Sequence, residues 1–183
     1  MHSGTQTEQI VKAWREPMHE WAVILAGGEG KRLQELSHKI SGDRRPKQFC
    51  EFFGGKSLLA HTRERLAPLF LEENTVFVLN RAHEIHYSRE LSDVAASRKL
   101  IQPSNRGTAP AIALSVLEIL KRDPGATVAF FPSDHHYTDP SIFRRTVNCA
   151  LASARNHEDR VLIVGAPATY PEVNSDGFSR GMH

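Results

Sequence analysis

Long hydrophobic runs, abundant cysteine and a strong charge of either sign are all absent from this sequence. No apolar run approaches the roughly 20 residues of a membrane-spanning helix, which argues against a membrane protein. The net charge is only +2 in 183 residues, too small to predict binding to nucleic acid or a membrane surface. The two cysteines, Cys50 and Cys149, lie far apart without metal-type spacing. We therefore expect an ordinary globular protein with two buried thiols, in a reducing cytoplasm.

Short apolar runs alternate with helical patterns along the chain. Runs rich in Val, Ile and Phe predict strands over residues 21–26, 75–79, 127–131 and 161–165, with a weaker candidate over 98–101. Continuous apolarity predicts burial on both faces, as in a parallel sheet. Helices are predicted to begin at Ser57, Thr108 and Ser141. This alternation predicts an α/β fold: a Rossmann-like, doubly wound, mostly parallel sheet in a three-layer α/β/α arrangement.

The last of these helices has a predicted buried face. From Ser141 onwards, Ile142, Thr146, Cys149 and Ser153 follow one another at helical spacing. We expect this stripe to face the sheet, which is the reason for placing Cys149 in the interior.

A glycine-rich turn follows the first predicted strand. Residues 21–33 read WAVILAGGEGKRL, and RPKQF follows at 45–49. Glycines let the backbone approach a ligand closely, and their N–H groups can converge on anionic oxygens. Lys31, Arg32 and Lys47 can then neutralise phosphate charge. The spacing matches neither the Walker phosphate loop nor the three-glycine dinucleotide fingerprint, so the sequence predicts a nucleoside-triphosphate site and disfavours a dehydrogenase.

Two further polar segments follow predicted strands, where ligands collect in parallel sheets. The segment 101–113 reads IQPSNRGTAPAIA and opens a helix, and 131–135 reads FPSDH. Asp134 is either a helix cap or a ligand of Mg²⁺, a metal that prefers carboxylate and phosphate oxygens. His135 and His136 lack further Cys or His at ligand spacing, which argues against zinc.

Together these segments resemble the signatures of the sugar-phosphate nucleotidyltransferases, and in particular of the mannose-1-phosphate guanylyltransferases. The resemblance runs from about residue 21 to 172. The 101–113 segment is its most specific part, although the order Asn-Arg-Gly at 105–107 replaces the usual Gly-Arg-Asn. The resemblance implies a nucleotidyltransferase domain over 21–183, incomplete at its C-terminal end, after a flexible polar leader over 1–20.

The resemblance also implies roles for individual residues. Arg32 and Lys47 would be the catalytic cations that bind the triphosphate and the leaving pyrophosphate. Asp134 would hold Mg²⁺. Gln102 would contact the base, although the family has Glu there. The residues implied in nucleotide binding are Leu25, Ala26, Gly27, Gly28, Gly30, Lys31, Gln102, Asn105, Gly107, Thr108 and Ala109.

The reaction implied by the resemblance joins mannose 1-phosphate to GTP and releases GDP-mannose and pyrophosphate. The sugar phosphate attacks the α-phosphorus in line, so catalysis rests on positioning and charge screening. The expected partners are GTP and a sugar 1-phosphate, without nucleic acid or membrane, and a homo-oligomer is left open. Two alternatives stay open. One is another nucleotide and hexose 1-phosphate pair, and the other is an inactive nucleotide-binding remnant or regulatory subunit, because the family's sugar-binding segment and second metal aspartate are missing.

Overall fold

The computed structural model describes residues 19–30 and 34–165 and contains a four-stranded parallel sheet with strand order β3-β2-β1-β4. The strands are β1 (Glu20–Leu25), β2 (Thr75–Asn80), β3 (Lys99–Gln102) and β4 (Thr127–Pro132). The helices are α1 (Gln34–Ser41), α2 (Leu58–Leu66), α3 (Glu84–Glu90), α4 (Thr108–Leu120) and α5 (Pro140–Arg155). Residues 1–18 of the predicted leader and 166–183 of the predicted domain lie outside the described residues.

Helices cover both faces of the sheet, because successive strand residues point in opposite directions. Ile24 and Phe77 belong to a buried cluster that includes residues of α2, α3 and α5. Val23 and Val78 belong to a second cluster, which includes residues of α4. The predicted three-layer α/β fold with a parallel sheet is confirmed. No helix within the described ranges is long and apolar enough to cross a membrane.

The predicted buried face of α5 was wrong. Phe143, Val147 and Leu151 are buried, whereas Ile142 and Cys149 are exposed. The two stripes have the same helical period, so periodicity alone does not choose between them. The larger apolar surface decides, because an aromatic ring and two branched side chains bury more area than the predicted set. Cys50 is buried as expected.

The segment 161–165 does not form the strand that its composition predicts. Val161 is 91% exposed, and the segment carries no strand assignment. β-branched residues favour strands, but a strand also needs a partner for its backbone N–H and C=O groups. In the described ranges only β1 pairs with β4, and the opposite edge of β4 is open.

Candidate nucleotide-binding site

The candidate site lies at the carboxyl edge of the sheet, where β1 and β4 end side by side. Leu25, the last residue of β1, is in register with Pro132 of β4. Just beyond, Ser133 donates to the carbonyl oxygen of Leu25 twice, from its backbone N–H at 3.3 Å and from its hydroxyl at 2.8 Å. These hydrogen bonds therefore join the glycine turn after β1 to the Ser133–Asp134 loop after β4 at the point where both leave the sheet.

Gln48 holds the glycine turn from another side. This residue lies in a short 3₁₀ helix, Lys47–Phe49, and is 2% exposed. Its side-chain amide donates to the carbonyl oxygens of Ala26 at 2.8 Å and Gly28 at 2.9 Å. The sequence reasoning missed Gln48. The available signal was a polar amide between the cation and the aromatic residue of the RPKQF motif.

Gly30 lies directly against Lys47. The φ angle of Gly30 is +63°, and a β-carbon there would come within 3.0 Å of the backbone nitrogen of Lys47. Both features require glycine, because other residues resist this φ and the space for a side chain is missing. Gly28 differs, since a β-carbon there would meet nothing within 4 Å.

Lys47 and Asp134 face each other across the site and form an ion pair between Nζ and Oδ2. Their side chains are 37% and 15% exposed, so both remain within reach of a ligand. The structure thus brings together two predicted functional residues from separate loops. A cation beside a turn of backbone N–H groups suits an anionic ligand.

Asp134 fits a magnesium ion that arrives with its own oxygen ligands. A carboxylate oxygen is the donor that Mg²⁺ favours, and such sites commonly combine one or two carboxylates with substrate phosphates. Within residues 19–30 and 34–165, no group of three or more His, Cys, Asp or Glu could hold a metal ion. The donor set therefore fits a metal–nucleotide complex better than a metal cage made by protein ligands alone.

Gln102 reaches the glycine turn from the opposite side of β1. It is 7% exposed and lies in register with Asn80, at the carboxyl end of the sheet. A β-carbon on Gly27 would lie 3.5 Å from Oε1 of Gln102. The amide predicted to contact the base therefore lies next to the turn predicted to bind phosphate.

The other predicted nucleotide-binding residues fall into two groups. Leu25 and Ala26 form the buried or half-buried start of the turn. Asn105 and Gly107 are exposed in the loop before α4, and Thr108 and Ala109 are exposed in its first turn. In that loop Asn105 Oδ1 accepts from the N–H of Gly107 at 2.9 Å. Gly107 has φ +89° and ψ −178°, a conformation that glycine adopts almost alone. Lys31 and Arg32 lie outside the described residues.

Helix α2 supports the loop that follows β4. Arg65 Nη2 donates to the carbonyl oxygen of His135 at 3.1 Å and to the hydroxyl of Thr62 at 2.9 Å. Oγ1 of Thr62 lies 3.3 Å from the carbonyl oxygen of Ser133. Burial lowers the pKa of Arg65 from its ordinary value. The sequence reasoning missed Thr62 and Arg65 as functional candidates, because neither residue stands in a recognised motif.

Comparison with known proteins agrees with the resemblance found in the sequence motifs. The family model described as nucleotidyl transferase matches residues 21–174. The alginate biosynthesis protein AlgA of Pseudomonas fluorescens is 33% identical over 153 residues, which cover 82% of this chain and 30% of AlgA. A mannose-1-phosphate guanylyltransferase of Escherichia coli is 30% identical over 162 residues, which cover 87% of this chain and 33% of that protein.

A solved structure shares the fold. The crystal structure of a protein described as mannose-1-phosphate geranyltransferase, from Thermus thermophilus, matches with a TM-score of 0.64 and 38% identity. The match covers 75% of this chain and 38% of that protein. The chain spans about a third of the length of the curated relatives that it matches. Because the family model covers most of the sequence and the fold agrees, the chain belongs to the nucleotidyl transferase family, with mannose-1-phosphate guanylyltransferases among its relatives.

Proposed function

We propose that this chain carries the nucleotide-binding half of a site that makes GDP-mannose and pyrophosphate from GTP and mannose 1-phosphate. The observation that carries the proposal is the Lys47–Asp134 ion pair beside the glycine turn. This arrangement places a cation and a carboxylate next to backbone N–H groups at the carboxyl edge of a parallel sheet, where ligands of such folds bind. The choice of GTP and mannose 1-phosphate is supported by the name of the Escherichia coli relative.

The ion pair suggests how the site changes when a metal–nucleotide complex binds. Each partner would exchange the other for a group whose charge has the same sign: Lys47 would contact the phosphate oxygens, and Asp134 would hold Mg²⁺. When bound, Mg²⁺ screens the phosphate charge and helps pyrophosphate to leave. Lys47 then stabilises the charge that develops on the phosphates, together with Arg32 as the sequence predicts.

The base end of the site is proposed to lie at Gln102. Its amide offers a donor and an acceptor to a base edge, and it is buried beside Gly27. No side chain is required as a nucleophile, because the sugar phosphate itself attacks the α-phosphorus. A cytoplasmic location remains a prediction, and the oligomeric state stays open.

Calorimetric titration tests the nucleotide part of this proposal. We expect Mg²⁺·GTP to bind more tightly than Mg²⁺·UTP, and Lys47→Met to weaken GTP binding. Lys56→Met is the matched control, because Lys56 forms an exposed ion pair with Glu64 outside the site. Absence of GTP binding, or equal binding by Lys47→Met, would contradict the proposal.

A product assay separates the enzyme from the second candidate function, a nucleotide-binding remnant or regulatory subunit. GDP-mannose formed from GTP and mannose 1-phosphate supports the enzyme. GTP binding without product supports the remnant.

A further inference from the structure

Two side chains of α2 hold the backbone on either side of Asp134. The carbonyl oxygen before it, on Ser133, lies 3.3 Å from Oγ1 of Thr62. The carbonyl oxygen after it, on His135, accepts from Nη2 of Arg65 at 3.1 Å. Thr62 and Arg65 are three residues apart, which places them on the same side of the helix. A carboxylate between two anchored carbonyls has little freedom to move with its loop.

The same arginine also fixes the continuation of this loop. Its guanidinium carbon lies 4.6 Å from the ring centroid of Tyr137 and 5.1 Å from that of Phe143. Arg65 therefore bonds the loop next to Asp134 and stacks on the aromatic residues that follow it. These contacts join α2, the loop after β4 and the first turns of α5.

Packing alone explains Arg65 poorly. Its polar contacts in the described part of the chain go to a hydroxyl and a carbonyl, and its Nε is buried without a hydrogen-bond partner there. Arg65 is half-buried, and an apolar side chain of similar length would fill this space and pack on the same rings without the cost of partly desolvating a cation. What the apolar side chain lacks is a directed bond to the loop.

We propose that Arg65, assisted by Thr62, is a positioning residue that holds Asp134 in the orientation in which its carboxylate faces Lys47 and the incoming metal–nucleotide complex. The evidence that the loop is anchored is its contacts with Thr62 and Arg65 described above. Its consequence for metal binding rests on the proposed function. Arg65 touches no reacting group in this arrangement and acts through the loop.

Hydrogen exchange tests the anchoring without reference to any ligand. We expect Arg65→Met to speed amide exchange at Ser133, whose N–H donates to the carbonyl oxygen of Leu25 at 3.3 Å, by about 5-fold, the effect of losing a hydrogen bond of about 1 kcal/mol. The matched control is Arg63→Met. Arg63 lies on the same helix, stacks over Phe77 at 5.7 Å and donates to the carbonyl oxygen of Glu90 at 3.2 Å. Equal exchange at Ser133 in both variants overturns the proposal.

Thr62→Val is the second test of the anchoring. It keeps the volume of the side chain and the charge of Arg65 but removes the hydroxyl proton that Ser133 and Leu58 share. We expect faster exchange at Ser133, by a smaller factor than in Arg65→Met. Unchanged exchange at Ser133 limits the anchor to Arg65 and overturns the part assigned to Thr62.

Manganese affinity in the presence of GTP, measured by electron paramagnetic resonance, tests the consequence for the site. We expect Arg65→Met to weaken Mn²⁺ binding by about 10-fold, as removal of an outer-shell partner commonly does. Arg65→Lys should give an intermediate affinity, because an ammonium group can donate to His135 but lacks the planar stacking face. Arg63→Met should bind as the wild type does.

The variant Asp134→Asn separates this inference from the proposed function. If Asp134→Asn weakens Mn²⁺ binding and Arg65→Met does not, the positioning role is overturned while the metal role stands. If Asp134→Asn binds Mn²⁺ as tightly as the wild type, the metal role in the proposed function is wrong. The exchange rates then decide on the anchoring alone.

Discussion

The two halves of the candidate nucleotide site differ in how the fold holds them. The glycine turn is fixed by groups distant in sequence: Gln48 bonds two of its carbonyl oxygens, and Ser133 bonds the strand end beneath it. The loop before α4 is shaped instead by its own Asn105–Gly107 hydrogen bond, and its predicted binding residues face solvent.

From this difference we propose different tasks for the two regions. Phosphate binding needs backbone N–H groups held at fixed positions, which the long-range bonds of the turn provide. Base recognition can reside in a loop whose sequence changes without disturbing the sheet, as at residues 105–107. We therefore expect substitutions at the turn to change stability and nucleotide affinity together. Substitutions near the loop should change mainly the choice of base.

The largest expected effect is that of Lys47→Met. We expect GTP affinity to fall by about 10- to 100-fold, because a charge-assisted contact contributes roughly 1.5–3 kcal/mol. Free Mn²⁺ should bind more tightly than to the wild type, since Asp134 loses its competing cation. If calorimetry shows that the affinity for GTP falls while the affinity for Mn²⁺ rises, Lys47 and Asp134 exchange each other for ligands, and the site is not generally damaged. A loss of both affinities would contradict the exchange.

Gln48→Leu tests how much stability the turn contributes. We expect the free energy of unfolding in urea to fall by about 1–3 kcal/mol, because the buried carbonyl oxygen of Ala26 and the more exposed one of Gly28 both lose their donor. Thr146→Val is a control on the exposed side of α5, where the hydroxyl bonds only the carbonyl of its own helix at Ile142. A change below about 0.5 kcal/mol in Gln48→Leu, the size expected for surface substitutions, would show that the turn holds its shape without this residue.

Two glycines of the same turn can be compared directly, and substituting either should change stability less than Gln48→Leu does. Gly30→Ala should destabilise the fold by about 1–2 kcal/mol, from the positive φ and the close approach to Lys47, and should weaken GTP binding. Gly28→Ala should change stability by less than about 0.5 kcal/mol, because the space is open. Thermal unfolding and calorimetry compare them. Equal effects would show that neither the positive φ nor the close approach to Lys47 constrains residue 30.

The parts of the fold that are coded locally were predictable from the sequence. The observed β2 starts at the predicted Thr75, and β4 at Thr127, because apolar β-branched runs end at turn-forming residues. The parallel arrangement followed from continuous apolarity. The failures, at 161–165 and on α5, concern which of several apolar surfaces finds a partner, and that depends on the rest of the molecule.

The candidate site was predictable only where a motif marks it. Lys47, Asp134 and the glycines stand in recognisable segments, and the structure brings Lys47 to both Gly30 and Asp134. Gln48 and Arg65 act through hydrogen bonds to carbonyl oxygens far away in sequence. No local pattern encodes such a bond, because any residue supplies the accepting carbonyl.

The smallest expected effect concerns base selection at Gln102. Guanine offers a ring N–H and an exocyclic amine as donors, so a carboxylate with two acceptor oxygens matches it better than an amide. Gln102→Glu should therefore raise the preference for GTP over UTP by about 5-fold, roughly 1 kcal/mol, and Gln102→Leu should lower it. The affinity for inorganic triphosphate, which has no base, is the control. It should stay unchanged in Gln102→Leu, and any fall in Gln102→Glu measures the repulsion between the new carboxylate and the phosphates, which GTP and UTP share. If both variants keep the wild-type ratio of GTP to UTP affinity, the base is recognised outside Gln102, and the loop at 105–107 becomes the next segment to exchange.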